Sequence, residues 1–78
     1  MWYRFIKKSE TNTEALYDYS YESKETSGTL SFSKETEEIT FKKLANGDDG
    51  TQVNRFGGAF RRRVKDEGFP EMMVLAFG

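Results

Sequence analysis

Five basic side chains, Arg55, Arg61, Arg62, Arg63 and Lys65, fall within eleven positions of the segment NRFGGAFRRRVKDEG, residues 54–68. Guanidinium and ammonium groups at that density can neutralise phosphates, the contact that dominates salt-dependent nucleic-acid binding. Two phenylalanines and a Gly-Gly pair are interleaved with them. On a helix, at ~100° per residue, Val53, Phe56, Phe60 and Val64 share one face and Gly57 lies on its edge. Arg55, Gly58, Arg62 and Lys65 fall opposite. The spacing predicts an amphipathic helix with a basic back. Arg61 and Arg63 flank that back, so only Arg55, Arg62 and Lys65 make a patch for phosphate. The competing reading is a solvated helix face whose charges pair with the acidic sheet half.

The string RFGGAF within this segment loosely resembles the glycine–aromatic strand of RNA-recognition domains, whose aromatics stack on bases. The second recognition strand of that family is not identifiable here. The helical face accounts for more of the residues.

Other chemistry is thinly supported. Tyr17, Tyr19 and Tyr21 alternate along one segment and can form a stacking platform. They can equally be the core face of a strand with hydroxyls at the sheet rim, and the clean alternation favours the core. The run NGDDG, residues 46–50, lacks the alternating ligands and terminal glutamate of a calcium loop. It reads as a turn, with Asp48, Asp49 or Thr51 capping the helix. Glu37 and Glu38 are adjacent on a predicted strand and point to opposite faces, so they cannot act as a pair. The chain has no histidine and no cysteine. The commonest general base, the commonest metal ligand and any disulfide are therefore missing. No catalytic residue, cofactor site or metal site is expected, and the chain reads as non-enzymatic.

These groups must be positioned by one small domain, residues 1–78. Aromatic residues make up 15% of the chain, which suits a core with few positions to fill. Net charge is −1, but residues 1–50 hold seven basic and ten acidic side chains, and residues 51–78 five and three. No global field would draw the chain to nucleic acid or to an anionic membrane. No run reaches the ~20 apolar residues of a membrane span, and no apolar leader is visible, so a cytoplasmic setting is expected.

Four strands are predicted in the first half: 2–7, 14–22, 28–33 and 37–43. Their period-2 alternation marks an antiparallel sheet with one buried face. Short polar turns make them a meander. The helix ends at Gly68, suited to a left-handed position, with Phe69 folding back near Val64 and Pro70 preventing continuation. Gly57 is expected to let the helix lie close on the aromatic sheet. Gly58 faces outward without a structural reason. Residues 71–77 form a last, continuously apolar strand. The fold class is α+β, β-β-β-β-α-β, with the helix on one sheet face and strand order 5-1-2-3-4.

The first and last strands read as apolar on both sides. Trp2, Ile6, Leu16, Met72 and Val74, with Ala76, would form an apolar patch on an otherwise polar sheet face. Such a patch marks a partner surface. The expectation is a protein-interaction domain with a protein partner or a second copy. Nucleic-acid or phosphate contact through residues 55–65 is the alternative, and no membrane partner is expected.

Overall fold

The alternation in the first half is realised as strands, and the computed structural model describes residues 1–22, 27–45 and 47–77. The elements are β1 (Trp2–Glu10), β2 (Glu14–Tyr21), β3 (Gly28–Ser33), β4 (Ile39–Lys43), α1 (Val53–Glu67) and β5 (Met72–Ala76). The strands pair antiparallel in the order β4-β3-β2-β1-β5. This is the α+β arrangement read from the sequence, with β5 beside β1. Most of the β2–β3 turn, at 23–26, and Asn46 of the Asn-Gly turn lie outside the described residues.

Helix and sheet meet through aromatic rings. Phe56 lies 5.1 Å from Tyr3 and 5.2 Å from Phe5, ring centre to ring centre. Phe60 lies 5.1 Å from Phe5 and 5.4 Å from Tyr17. Val64, Leu30, Phe32, Met73 and Leu75 complete the core. Each aromatic contact adds about 0.5–1.5 kcal/mol beyond the area it buries. That favours a core few in residues but rich in rings.

Tyr17 and Tyr19 are core residues, and Tyr21 is half-buried against Tyr3. The buried tyrosines tie the sheet to the segments flanking the helix. Tyr3 donates to the Gln52 side chain at the helix start. Tyr19 donates to the Asp48 carboxylate and accepts the Ala45 N–H at 3.1 Å. Tyr17 donates to the Pro70 carbonyl at 2.7 Å, just past the helix end. Burial pushes the Tyr17 phenol up to about 12. Burial, with the bond to Asp48 second, also raises Tyr19, and burial raises Tyr3.

Several local expectations are corrected. β1 runs beyond Lys7 to Glu10, because an irregularity between Lys7 and Ser9 absorbs one residue and lets pairing resume. β2 stops at Tyr21, where Glu22 turns to φ 44°. β4 starts at Ile39 rather than Glu37. Glu37 has φ 63°, and Ser33 and Glu38 close the turn through a backbone bond of 3.0 Å. Glu37 and Glu38 are therefore turn residues.

None of Asp48, Asp49 and Thr51 caps α1. Gln52 occupies the N-cap without a side-chain cap bond. Asp48 accepts the Gly50 N–H at 2.7 Å instead, and Asp49 accepts both the Thr51 N–H and its hydroxyl. The Thr51 hydroxyl holds the Asp49 carboxyl below its ordinary range. Turn-local bonds outcompeted capping for these short acidic side chains.

At the other end Gly68 is left-handed, φ 67°, as predicted. The Val64 carbonyl receives the N–H groups of both Gly68 and Phe69, at 2.9 and 3.2 Å. The Phe69 ring packs on Phe32, 5.5 Å away, with the Lys34 ammonium 4.7 Å from its centre. Gly57 is buried, but a Cβ there would meet Arg61 Nη1 at 3.0 Å and Val53 Cγ2 at 3.4 Å. Its close neighbours are therefore side chains of its own helix, not sheet rings.

Candidate partner surface on the helix-free sheet face

Strand alternation sends Tyr3 and Phe5 of β1 into the core and turns Trp2, Arg4 and Ile6 to the other face. On β5, Met73 and Leu75 are buried, and Met72, Val74 and Ala76 face away. The β1–β5 register sets Trp2 against Ala76, Arg4 against Val74 and Ile6 against Met72. Four of the five predicted interface residues, Trp2, Ile6, Met72 and Val74, are thus brought together on two neighbouring strands. Ile6 is 47% exposed, Met72 56% and Val74 41%, so one chain does not bury them. Leu16 stands apart. It is half-buried on β2 opposite Ser9 and Ser31, one strand further in and two residues along from Asp18, which faces Ile6.

The rest of this face is polar and internally bonded. Thr29 donates to Asp18 at 2.8 Å and Ser31 to Glu14 at 2.6 Å, each across β2 and β3. Lys8 approaches Asp18 at 3.9 Å. Thr40 and Lys42 on β4 are exposed. The helix-free face is therefore divided into an apolar β1–β5 half and a hydrogen-bonded β2–β4 half.

The β5 edge itself is open. Lys7 N–H donates to Glu71 O at 2.8 Å and Phe77 N–H to Met1 O at 2.8 Å. Bonded pairs alternate along an antiparallel ladder, so residues 73 and 75 are the inward-bonding ones between them. Met72, Val74 and Ala76 turn their N–H and C=O groups off the sheet. No described residue bonds to them. At the opposite edge, β4 carries Lys42 and Lys43 and a register irregularity beside Thr29. Charges and bulges are the usual guards against strand addition. β5, sequence MMVLA, has no charged residue.

The basic residues of α1 do not converge. Arg61 Nε donates to the Glu37 carbonyl at 2.8 Å. Lys65 Nζ lies 2.8 Å from the Glu37 carboxylate, and Arg63 Nε lies 3.1 Å from Glu67. The β3–β4 turn thus occupies Lys65, one of the three predicted phosphate contacts. Arg55 sits at the helix start, lining a recess of about 250 Å³ with Met1, Tyr21, Thr51 and Gln52. Arg62 is exposed about two turns further on.

A second polar cluster, unread in the sequence, closes one end of the sheet. Lys7 lies 2.9 Å from Glu10 and 3.4 Å from Glu71, and Lys34 lies 2.7 Å from Glu10. The hydrogen bond from Lys34, then that from Lys7, lowers the Glu10 carboxyl. The bond to Glu10 raises Lys7. Lys7 also donates to the Phe69 carbonyl at 3.1 Å, so the cluster fastens the helix exit to β1. Its members come from three separate segments, and only the Lys7–Glu10 pair is close in sequence. Arg4, in the middle of the apolar half, was legible from alternation alone.

Among the described residues, no group of three or more His, Cys, Asp or Glu is placed to hold a metal ion. No helix among them is long and apolar enough to cross a membrane. Comparisons of the chain with known protein families, with curated proteins and with solved structures find no match.

Proposed function

We propose that this chain is a small non-enzymatic interaction domain that binds protein through the apolar half of its helix-free sheet face. One observation carries the reading: Ile6, Met72 and Val74 are each more than two-fifths exposed, side by side, on a face whose other half is mostly polar. Exposing a cluster of large apolar side chains forgoes about 25 cal/mol per Å² of burial. A contiguous patch of this kind is the usual mark of a surface covered by a partner. Trp2 at its margin and Arg4 at its centre are residue types favoured at protein interfaces. Lack of histidine and cysteine fits a binding role better than a catalytic one.

The test is co-purification from cells that produce the chain, with a second, differently tagged copy present. Ile6→Lys with Met72→Lys should release the bound protein, whereas Thr40→Glu on the polar half should not. Equal retention by all three chains would remove the face from consideration.

A further inference from the structure

We propose that the open β5 edge bordering this surface pairs with a second copy of the chain. The copy is added edge to edge by antiparallel pairing of β5 with β5 about a two-fold axis through Val74. The inference deepens the interaction reading above and rests on it.

The open edge presents three N–H and three C=O groups, from Met72, Val74 and Ala76. With the axis at Val74, the two Val74 residues exchange both their bonds. Met72 of each copy exchanges both bonds with Ala76 of the other. All twelve edge groups are then satisfied in six hydrogen bonds, the pattern of a regular antiparallel ladder. A register moved off Val74 leaves part of that set unpaired. Pro70 has no N–H, which ends the ladder before β5 begins.

The side chains fit the same register. Residues opposite each other in an antiparallel pair project to the same face. On the helix-free face Met72 meets Ala76 of the second copy, a large side chain with a small one, and Val74 meets Val74. On the core face Met73 meets Leu75. No charge stands opposite a like charge. An axis perpendicular to the sheet also keeps both helix-free faces on one side. The two apolar halves become one continuous patch, and the ten strands run β4-β3-β2-β1-β5-β5-β1-β2-β3-β4. The two Arg4 side chains end up three strand spacings apart, about 14 Å, beyond the ~8 Å screening length of physiological salt. The guarded β4 edges remain outermost, where their lysines oppose further growth. Pairing is isologous, so the assembly closes at two copies. A contact built on five-residue strands lies at the small end of specific interfaces, and the dimer is accordingly weak.

The experiment pairs sedimentation with amide hydrogen exchange by NMR, on the whole chain, from about 20 µM to about 1 mM. The expected result is a monomer–dimer equilibrium in which the amides of Met72, Val74 and Ala76 slow about tenfold or more as dimer fills. The amides of β4 should not change. Val74→Pro should abolish both effects. Val74 does not use its N–H towards β1, and proline is tolerated at such edge positions. Exchange on the unaltered chain needs no variant, so a misfolded Val74→Pro leaves the proposal open to refutation. A chain monomeric to 1 mM would overturn it. So would a dimer that leaves these three amides unprotected, or one that Val74→Pro does not weaken. A monomer whose Ile6 and Met72 still capture another protein removes only the pairing of the edge. Loss of that capture as well removes the interaction reading itself.

Discussion

Val74 on β5 stands directly across from Arg4 on β1, and its own N–H and C=O point the other way, off the sheet. Two features therefore coincide at one residue. Its side chain belongs to an exposed apolar patch, and its backbone belongs to an unguarded strand edge. The Arg4 stem can lie along apolar neighbours while its guanidinium stays in water. This combination suits a surface that is soluble when alone and coverable by a partner.

Neighbouring methionines separate interface from core. Met73 is buried and Met72 is the most exposed large apolar residue of β5. Met73→Ala should cost about 2–5 kcal/mol in denaturant unfolding. Met72→Lys should stay within about 0.5 kcal/mol of the parent, measured at low concentration. A large loss from Met72→Lys would mean the position is structural rather than a contact surface.

Two glycines should respond in opposite directions to alanine. A Cβ on Gly28 would stand 2.4 Å from Tyr19 Cε1, 2.5 Å from Lys43 O and 2.6 Å from Ala45 N. Two of those atoms are backbone and cannot swing aside. Gly28→Ala should cost about 3 kcal/mol or more, the upper end for overpacking. A Cβ on the helical Gly58 meets nothing within 4 Å. Gly58→Ala should stabilise the chain by roughly 0.8–1 kcal/mol, the helix-propensity difference. Unfolding midpoints at a constant m-value would read both.

Stability should fall at both ends of the pH scale for identifiable reasons. Glu10 is lowered in the folded chain from an ordinary value of 4.5. Its contribution is present above that value and is lost as pH falls through its depressed folded pKa. Tyr17 is raised from 10.0 to about 12, so the folded state holds that proton more tightly. Its contribution is complete below pH 10.0 and is lost as pH rises towards about 12. Glu10→Gln should flatten the acid limb of a plot of stability against pH, and Tyr17→Phe the alkaline limb. An unchanged slope in either variant would assign that limb to other groups.

Nucleic-acid contact should be shallow. Lys65 is engaged by Glu37, and Arg55 and Arg62 are about two turns apart. Mixed-sequence single- or double-stranded nucleic acid should bind weakly at low salt and not at physiological salt. Each true phosphate contact contributes about 0.9 to the slope of log affinity against log salt on duplex DNA. Reversing the charge of Arg55, Arg62 and Lys65 together should therefore change little. Tight binding that this triple variant loses would favour the basic helix over the sheet face.

Much of the fold was legible because period-2 alternation and the 53–64 helical stripe are strong local signals. Val53, Phe56, Phe60 and Val64 announced α1, and Gly68 announced its end. The patch at Trp2, Ile6, Met72 and Val74 was legible because each residue stands on the wrong side of an alternating strand. What failed was decided by competing local bonds or distant partners. Asp48 and Asp49 look like caps, yet one answers a buried tyrosine and the other its own turn. Glu37 looks like a strand residue, yet its left-handed backbone and its two helix contacts place it in the turn, where it holds the turn against the helix. The Lys7–Glu10–Lys34 cluster needed the register of β1 and the path of the β3–β4 turn before its members could meet. Leu16 was grouped with the patch because its face was right, but it stands on β2, half-buried between Ser9 and Ser31, one strand in from the exposed residues.

Photo-crosslinking reports directly on what covers the apolar half of the sheet face. A benzophenone side chain is placed at Met72 or Ile6, and at Thr40 on the polar half of the same face, in cells that produce the chain. Defined protein adducts are expected from positions 72 and 6, with the chain itself among those from position 72, and none from position 40. Equal labelling from all three positions, or adducts from Thr40 alone, would contradict it.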